Sequence, residues 1–389
     1  MTEICKKEKC FGCTACKNSC PSSAVNMIAD DEGFLYPEID QTLCTDCGIC
    51  VNVCPALAEL PPGTAQMFFA AKNSDNVRKR SSSGGVFSAL AAATFEQKGF
   101  VFGAAFDENL KVAHKSIDCI EQLPEVCGSK YVQSDLNGCF CDTKRLLKQG
   151  KTVLFSGTPC QIAGLNACLK KEYENLITCD LVCLGVPSPK VYNYYLKYIS
   201  DKMKSNVKVF TFRDKSLGWK GFTSYAEFEN GVKAQKKLWL KTYNTLFSHK
   251  FISRPVCSIC PYASLQRPAD ITIGDCWGIE KHHPKFEDKL GVSLIIINTQ
   301  KGKKIFEKVK DSLTVIEITE KQALQNALRA PAKPNNNRAG FWKALEREGY
   351  EEAAKRYAEL NPIGYVKNLL QMFLISTNLM SKIKKHRKF

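Results

Sequence analysis

The feature that most constrains this chain is a short cysteine pattern written twice. Cys10, Cys13, Cys16, Cys20 and Pro21 recur as Cys44, Cys47, Cys50, Cys54 and Pro55, each displaced by 34 residues. Three closely spaced thiols on one loop, with a fourth that crosses to the neighbouring site, is how a two-cluster ferredoxin supplies its iron–sulfur cubes. This spacing assigns Cys10, Cys13, Cys16 and Cys54 to one [4Fe–4S] cluster, and Cys44, Cys47, Cys50 and Cys20 to its partner. Zinc knuckles need neither the triplet spacing nor the following proline. Two copies make a pseudo-symmetric small domain rather than a solenoid. The Leu-Pro-Pro-Gly-Thr stretch at 60–64 reads as its linker.

Twenty cysteines in 389 residues demand either a disulfide framework or metal ligation. The opening MTEICKKEKC is charged and lacks the apolar core of a secretory signal. A reducing, cytoplasmic setting with metal-bound thiolates is therefore expected. The length predicts two or three domains. With 44% hydrophobic and 24% charged residues the composition is that of a folded globular protein.

Beyond the linker, strand-like and helix-like stretches alternate. Met67–Ala71, Phe100–Phe106 and Thr152–Phe155 read as strands, with helical patterns from Gly85 to Gln97 and from Cys160 to about Leu169. From Val207 onward β-branched runs become more frequent, at Val207–Phe212, Ser224–Phe228, Ile271–Ile273 and Ser293–Asn298. Helices return at Lys303–Val309 and Ala339–Tyr357. The expected fold class is mixed α/β and α+β, with a ferredoxin-like domain at 1–60, a mixed α/β region at 65–200, a second at 205–330 and a helical basic tail at 335–389. A soft boundary falls near 190–205. The segment 363–389 pairs an apolar stretch with Lys382, Lys384, Lys385, Arg387 and Lys388. It is too interrupted to span a bilayer, so it reads as a docked terminal helix with a solvated tail, or as a peripheral contact with the inner membrane face.

A second cysteine set is less decisive by spacing alone. Cys257-Ser258-Ile259-Cys260-Pro261 offers two thiols on one turn, and Cys160 and Cys183 each follow an apolar strand. An iron–sulfur cluster, a zinc site and buried free thiols all satisfy that pattern. Cys160 stands at an expected helix start, where unpaired N–H groups favour a thiolate or a phosphate. The same holds for Ser83-Gly84-Gly85, whose amides could cradle a pyrophosphate or simply cap a helix. No G-x-G-x-x-G and no G-x-x-x-x-G-K-[ST] occurs, so neither a dinucleotide fold nor a P-loop is indicated. Five histidines are too few for a His-rich metal centre.

The ordered segments Ser82–Phe87, Gly128–Ser134, Gly157–Gln161, Cys183–Pro189, Phe212–Lys215, Cys257–Cys260 and Ala269–Gly278 together resemble the family of coenzyme F420 hydrogenase/dehydrogenase β-subunits, with a dicluster ferredoxin domain fused in front. The resemblance covers most of residues 65–300. It implies a flavoprotein with a further [4Fe–4S] cluster on Cys160, Cys183, Cys257 and Cys260, with Cys276 as the rival of Cys183. It implies FAD held by Ser83, Gly84 and Gly85, by the Ser129–Lys130 loop and by Thr158 and Pro159, with Lys130 at a phosphate or at the electron-rich edge of the flavin. The Trp277-Gly278-Ile279-Glu280-Lys281 extension resembles a bacterial branch associated with surface-polysaccharide biosynthesis, which does not favour F420 itself as the carrier.

Clusters move single electrons and most organic carriers exchange hydride; a flavin does both and would stand between them. The expectation is an iron–sulfur flavoprotein oxidoreductase linking ferredoxin or another redox protein to a small-molecule substrate or hydride carrier. Its alternative is a non-catalytic electron-transfer subunit serving a partner enzyme. The formal charge of +16 would ordinarily suggest nucleic acid. Three thiolate-bound cubes near −2 each would lower it to roughly +10, and no nucleic-acid partner is expected.

Overall fold

The spacer between the two cysteine motifs folds as a hairpin. Strands β1 (Val25–Ala29) and β2 (Leu35–Ile39) pair antiparallel, Val25 opposite Ile39. Asp30 closes the turn by accepting the amides of Glu32 and Phe34, and Gly33 supplies the positive φ. The sequence repeat is also a repeat of backbone. Gly12 and Thr14 in the first motif, and Asp46 and Gly48 in the second, all adopt positive φ, although only two of the four are glycines. Short helices follow at Ala15–Ser19 and Ile49–Asn52, carrying Cys16 and Cys50. Both loops take the same tight path because three thiols must turn toward one centre.

The computed structural model describes residues 3–60, 66–221 and 223–358; the expected linker, apart from Leu60, and the basic segment 363–389 lie outside them. An eight-stranded mixed sheet dominates the remainder. Its strands are β3 (Met67–Lys72), β4 (Phe100–Phe106), β5 (Val112–Ile117), β6 (Val153–Gly157), β7 (Leu176–Leu181), β11 (Ile271–Asp275), β12 (Ser293–Ile297) and β13 (Thr314–Glu317), in the order β13-β3-β12-β11-β7-β6-β4-β5. The inner strands β11, β7, β6 and β4 run parallel, and antiparallel neighbours flank them on both sides. Parallel strands are covered on both faces and so read as continuous apolar runs; Val153, Leu154 and Phe155 are fully buried.

One face is covered by the helices Val86–Phe95 and Gln300–Val309, with Leu90, Ala91, Ile305 and Phe306 packed on Ile177 and Ile295. Over the other face lies the helix Pro159–Leu169, which connects β6 to β7. Ile162 and Leu165 share a core there with Phe11, Cys13, Ala15 and Val53 of the cluster-motif domain. That domain is therefore seated on the sheet-covering helix.

A separate antiparallel sheet, β8 (Val207–Asp214), β9 (Thr223–Phe228) and β10 (Lys233–Gln235), packs with the helices Pro189–Met203, Leu238–Ser248 and Arg338–Tyr357. Their shared core is aromatic, built from Tyr192, Tyr195, Phe210, Phe212, Tyr243, Phe341 and Tyr350. The expected boundary near 190–205 does not separate one sheet from another. β11, β12 and β13 return to hydrogen-bond with β7 and β3, so the region beyond 205 completes the sheet begun before it. Among the described residues, no helix is long and apolar enough to cross a membrane.

Candidate iron–sulfur centres

In doubly wound sheets the ends of parallel strands are where loops gather functional side chains. β6 ends at Gly157 and is followed by Thr158, Pro159 and Cys160. Its neighbour β7, with Asp180 opposite Gly157, is followed by Cys183. Thr158 caps the helix that Cys160 enters, in a reciprocal capping box with Gln161. Cys257 and Cys260 arrive on the turn Pro255–Ile259 and just beyond it. All four thiols line one pocket, together with Phe11, Arg254 and Tyr262. Cys276 does not. It is buried beside Phe68, Val292, Leu294 and Ile296 in a different apolar cluster.

The approach of the Cys183 loop to Cys257 depends on Gly185. Its φ is +107, and a side chain there would stand 3.2 Å from Cys257 Cβ. The Gly185 amide also donates to Cys183 Sγ at 3.4 Å, and the Thr158 hydroxyl lies 3.2 Å from Cys160 Sγ. Burial pushes the thiols of Cys257 and Cys260 up to about 12 and about 11, and that of Cys160 well above its ordinary value. Such buried thiols become thiolates only opposite a cationic core, which releases their protons on binding. The donor set fits an iron–sulfur cube.

Of the eight motif cysteines, Cys20, Cys44, Cys47 and Cys50 line a second pocket. Cys10 lies within electrostatic reach of Cys13, Cys16 and Cys54, and Cys16 of Cys54 and Cys50. Amides aim at sulfur here too, from Gly12 to Cys10 at 3.4 Å and from Ala24 to Cys20 at 3.3 Å. Cys5, outside both motifs, hydrogen-bonds to Cys10 and Cys54 and holds them down to about 6 and about 7, against the opposing effect of burial. Every cysteine is a free thiol. Among the described residues no three His, Cys, Asp or Glu side chains converge tightly enough to grip a single ion; ligands at the corners of a four-iron cube stand farther apart than that.

The first and third sites adjoin. Cys13 packs on Gly164, one turn into the helix that Cys160 begins; a side chain at Gly164 would stand 3.0 Å from Cys13 Sγ. Tyr262 is within electrostatic reach of Cys160, Cys13, Cys260 and Cys54, and its ring lies 5.7 Å from that of Phe11. Neither aromatic residue carries a sequence signal; their roles exist only once distant loops meet.

The residues expected at a flavin are brought partly together. Ser82 Oγ accepts from both the amide and the hydroxyl of Ser129, which joins the Ser82–Gly85 turn to the Ser129–Lys130 loop. Their donors are largely taken. The Ser83 hydroxyl donates to the Val292 carbonyl, the Gly84 amide to Ser293 Oγ, and Lys130 Nζ to the carbonyls of Glu125 and Cys127. Gly84 has no room for a side chain against the backbone of Ala71 and Ser293. Gly85 enters its helix at φ +82. Burial lowers Lys130 to about 8. Thr158 and Pro159 belong to the rim of the third cysteine site. These donors are engaged within the protein.

The Phe212–Lys215 segment has a structural task. Arg213 pairs with Asp275 at 2.7 Å, and Lys215 Nζ donates to the carbonyls of Arg78, Ser83 and Leu290. The rings of Trp219 and Trp277 stack 4.6 Å apart and nearly parallel. These contacts fasten the three-stranded sheet to the large one.

Residues 150–322 match the family described as the C terminus of the coenzyme F420 hydrogenase/dehydrogenase beta subunit. Residues 9–58 match a 4Fe-4S dicluster domain. The chain is 22% identical over 340 residues to the F subunit of F(420)H(2) dehydrogenase from Methanosarcina mazei, covering 82% of this chain and 87% of that one. It is 38% identical over 65 residues to the PorD subunit of pyruvate synthase from Thermotoga maritima, covering 16% of this chain and 62% of that one. A structure of the F420-reducing [NiFe] hydrogenase complex from Methanosarcina barkeri overlaps 77% of this chain and 94% of its own, at 17% identity and a TM-score of 0.44.

Proposed function

From a chain whose residues 150–322 match the C-terminal family of coenzyme F420 hydrogenase/dehydrogenase beta subunits and whose residues 9–58 match a 4Fe-4S dicluster domain, we propose an electron-relay function through three cluster sites in series. The second set, Cys20, Cys44, Cys47 and Cys50, is the outer port. Cys10, Cys13, Cys16 and Cys54 form the middle site, and Cys160, Cys183, Cys257 and Cys260 the inner one. The observation that carries this reading is the seating of Cys13 on Gly164, beside a pocket that holds four further thiols.

When bound, iron–sulfur cubes supply one-electron chemistry. The chain's own residues hold the sites adjacent, aim amides at the sulfurs and keep water out. Phe11 and Tyr262 fill the gap between the middle and inner sites with apolar surface. Gly12, Ala24 and Gly185 donate N–H bonds toward cysteine sulfur, which favour the reduced, more negative state of a bound cluster.

A redox protein or a partner subunit is the proposed donor or acceptor, in keeping with the subunit relatives. A flavin that exchanges hydride with a small-molecule substrate is the finer reading. The bonding of Ser129 to Ser82 favours it, since it unites two of the three expected loops. The engaged donors of that turn count against it, so no step is routed through FAD.

The test is anaerobic purification with iron, sulfide, zinc and flavin quantified per chain. Three cubes give about twelve irons. Cys160→Ser should remove about four of them and Cys276→Ser none, by the four-iron stoichiometry of each cube. Zinc in place of the inner four irons, or equal iron in all three proteins, would defeat the serial relay. One FAD per chain would establish the finer reading.

A further inference from the structure

Among the described residues, the largest fully buried side chain is a cation. Arg254 is 1% exposed and sits between the middle and inner cysteine sites. Its backbone amide donates to the Val186 carbonyl, and its own carbonyl accepts from the Cys257 amide at 3.0 Å. The side chain then crosses to the cluster-motif domain. Nε donates to the Cys10 carbonyl at 2.9 Å, Nη2 to the Leu35 carbonyl at 3.0 Å and Nη1 to Gln133 Oε1 at 2.9 Å. The guanidinium lies 4.2 Å from the Tyr36 ring centre. Gly12, inside the first Cys-x-x-Cys, makes room for it: a side chain there would stand 2.6 Å from Nη1.

These carbonyl, amide and ring partners are neutral, and the guanidinium also meets the side chain of Cys10, a ligand of the middle site. Burying a charge without a counter-charge is heavily penalised, and an arginine cannot escape by losing its proton. Hydrogen bonds to carbonyls and a ring face reduce that penalty but do not cancel a full positive charge. Two groups of four thiols flank it, and a thiolate-bound cube carries a net negative charge. Arg254 also lines the inner pocket directly.

We propose that Arg254 is a positioning residue that serves as the shared counter-charge of the middle and inner clusters, raising both reduction potentials at the seam between the two domains. This rests on the relay reading. A fixed positive charge stabilises the added electron on either cluster, so it raises both potentials together. The outer cluster should feel it less, because the side-chain hydrogen bonds of Arg254 go to Cys10, Leu35 and Gln133 and to none of the residues lining that pocket.

The test is an EPR-monitored reductive titration of the full-length, anaerobically isolated protein, with dithionite as electron source. In Arg254→Gln the middle and inner clusters should become at least tenfold harder to reduce at a given potential, a shift of about 59 mV for one electron. The outer cluster should move less, and Arg254→Lys should restore most of the shift. Gln133→Glu sets a carboxylate against Nη1 and should lower the same two potentials without removing the guanidinium, which covers the case in which Arg254→Gln fails to fold. Clusters present in full but unmoved in Gln133→Glu, or all three shifted alike, would overturn the inference while leaving the relay intact. Absence of iron from the wild-type protein would instead end the relay reading itself.

Discussion

At Gly185 a single β-carbon separates a usable site from a blocked one. Its backbone lies at φ +107 and its Cα faces Cys257 Cβ, so Gly185→Val combines backbone strain with a clash inside the inner site. The expected outcome is loss of about four of about twelve irons, with the outer and middle EPR signals retained. A second residue gives a pH signature. His114 is buried, with Nε2 donating to the Ser156 carbonyl at 3.0 Å and Nδ1 accepting from the Ser134 hydroxyl at 2.8 Å. Burial lowers it to about 4, so the folded protein keeps the ring neutral where the unfolded chain, with its ordinary value of 6.5, is protonated. Between those values the unfolded state binds the extra proton, and stability falls as pH drops through the window. The loss from pH 6.5 to 5 should be roughly 1.5 kcal/mol, read by urea unfolding, and His114→Asn should remove it. The motif cysteines were legible because ligand chemistry fixes their spacing in the chain. Arg254 was not, since its contact with Cys10 spans 244 residues and no local pattern marks it. The resemblance put Cys183 ahead of its rival Cys276, but both stand just past a strand, and it is the turn at Gly185 that brings the Cys183 loop against Cys257.

Among the elements, the hairpin β1–β2 acts as a clasp. Glu32 at its tip pairs with Arg338 through both carboxylate oxygens, Ser188 donates to the Glu32 carbonyl, and Lys190 Nζ reaches the Asp31 carbonyl at 2.7 Å. The Arg338–Glu32 pair is partly shielded from water. Glu32→Gln should cost about 1 kcal/mol and raise amide hydrogen exchange across 25–39 more than elsewhere. Unchanged exchange there would mean that the apolar seam alone holds the domain. The central strands were readable as apolar runs, and β4 matches its expected bounds of Phe100 to Phe106. The hairpin was not readable: β2 is Leu-Tyr-Pro-Glu-Ile, with a proline inside and no clean alternation. The helix Pro189–Met203 was also missed, because its tyrosines resemble strand residues until they pack as one aromatic core.

Taken whole, the molecule is a dicluster module seated on a mixed α/β body, and the seam between them is the centre of the proposed relay. Phe11, Ala15 and Val53 cover Ile162 and Leu165. A chain beginning at residue 66 would expose that surface and leave the side chain of Arg254 without its Cys10 and Leu35 partners. Such a protein should bind a hydrophobic dye strongly and lose its inner cluster faster in air than the full chain, measured by absorbance bleaching. The division near 190–205 suggested by composition followed a change in strand character, whereas the sheet is closed by strands from both sides of it. Chain order conceals this, since β11 pairs with β7 only after the aromatic sheet has been inserted between them.

The cysteines of the two motif sites also differ in exposure. Cys47 is exposed and Cys44 and Cys50 are half-buried, whereas Cys10, Cys13 and Cys16 are buried. Oxygen entering from solvent would meet the terminal cube well before its neighbour. Corrosion of the loaded dicluster module should therefore come in two waves, a fast release of the outer quartet of irons and a slower loss of the middle one. The partly weathered form would keep its middle cube while having no port through which to fill it.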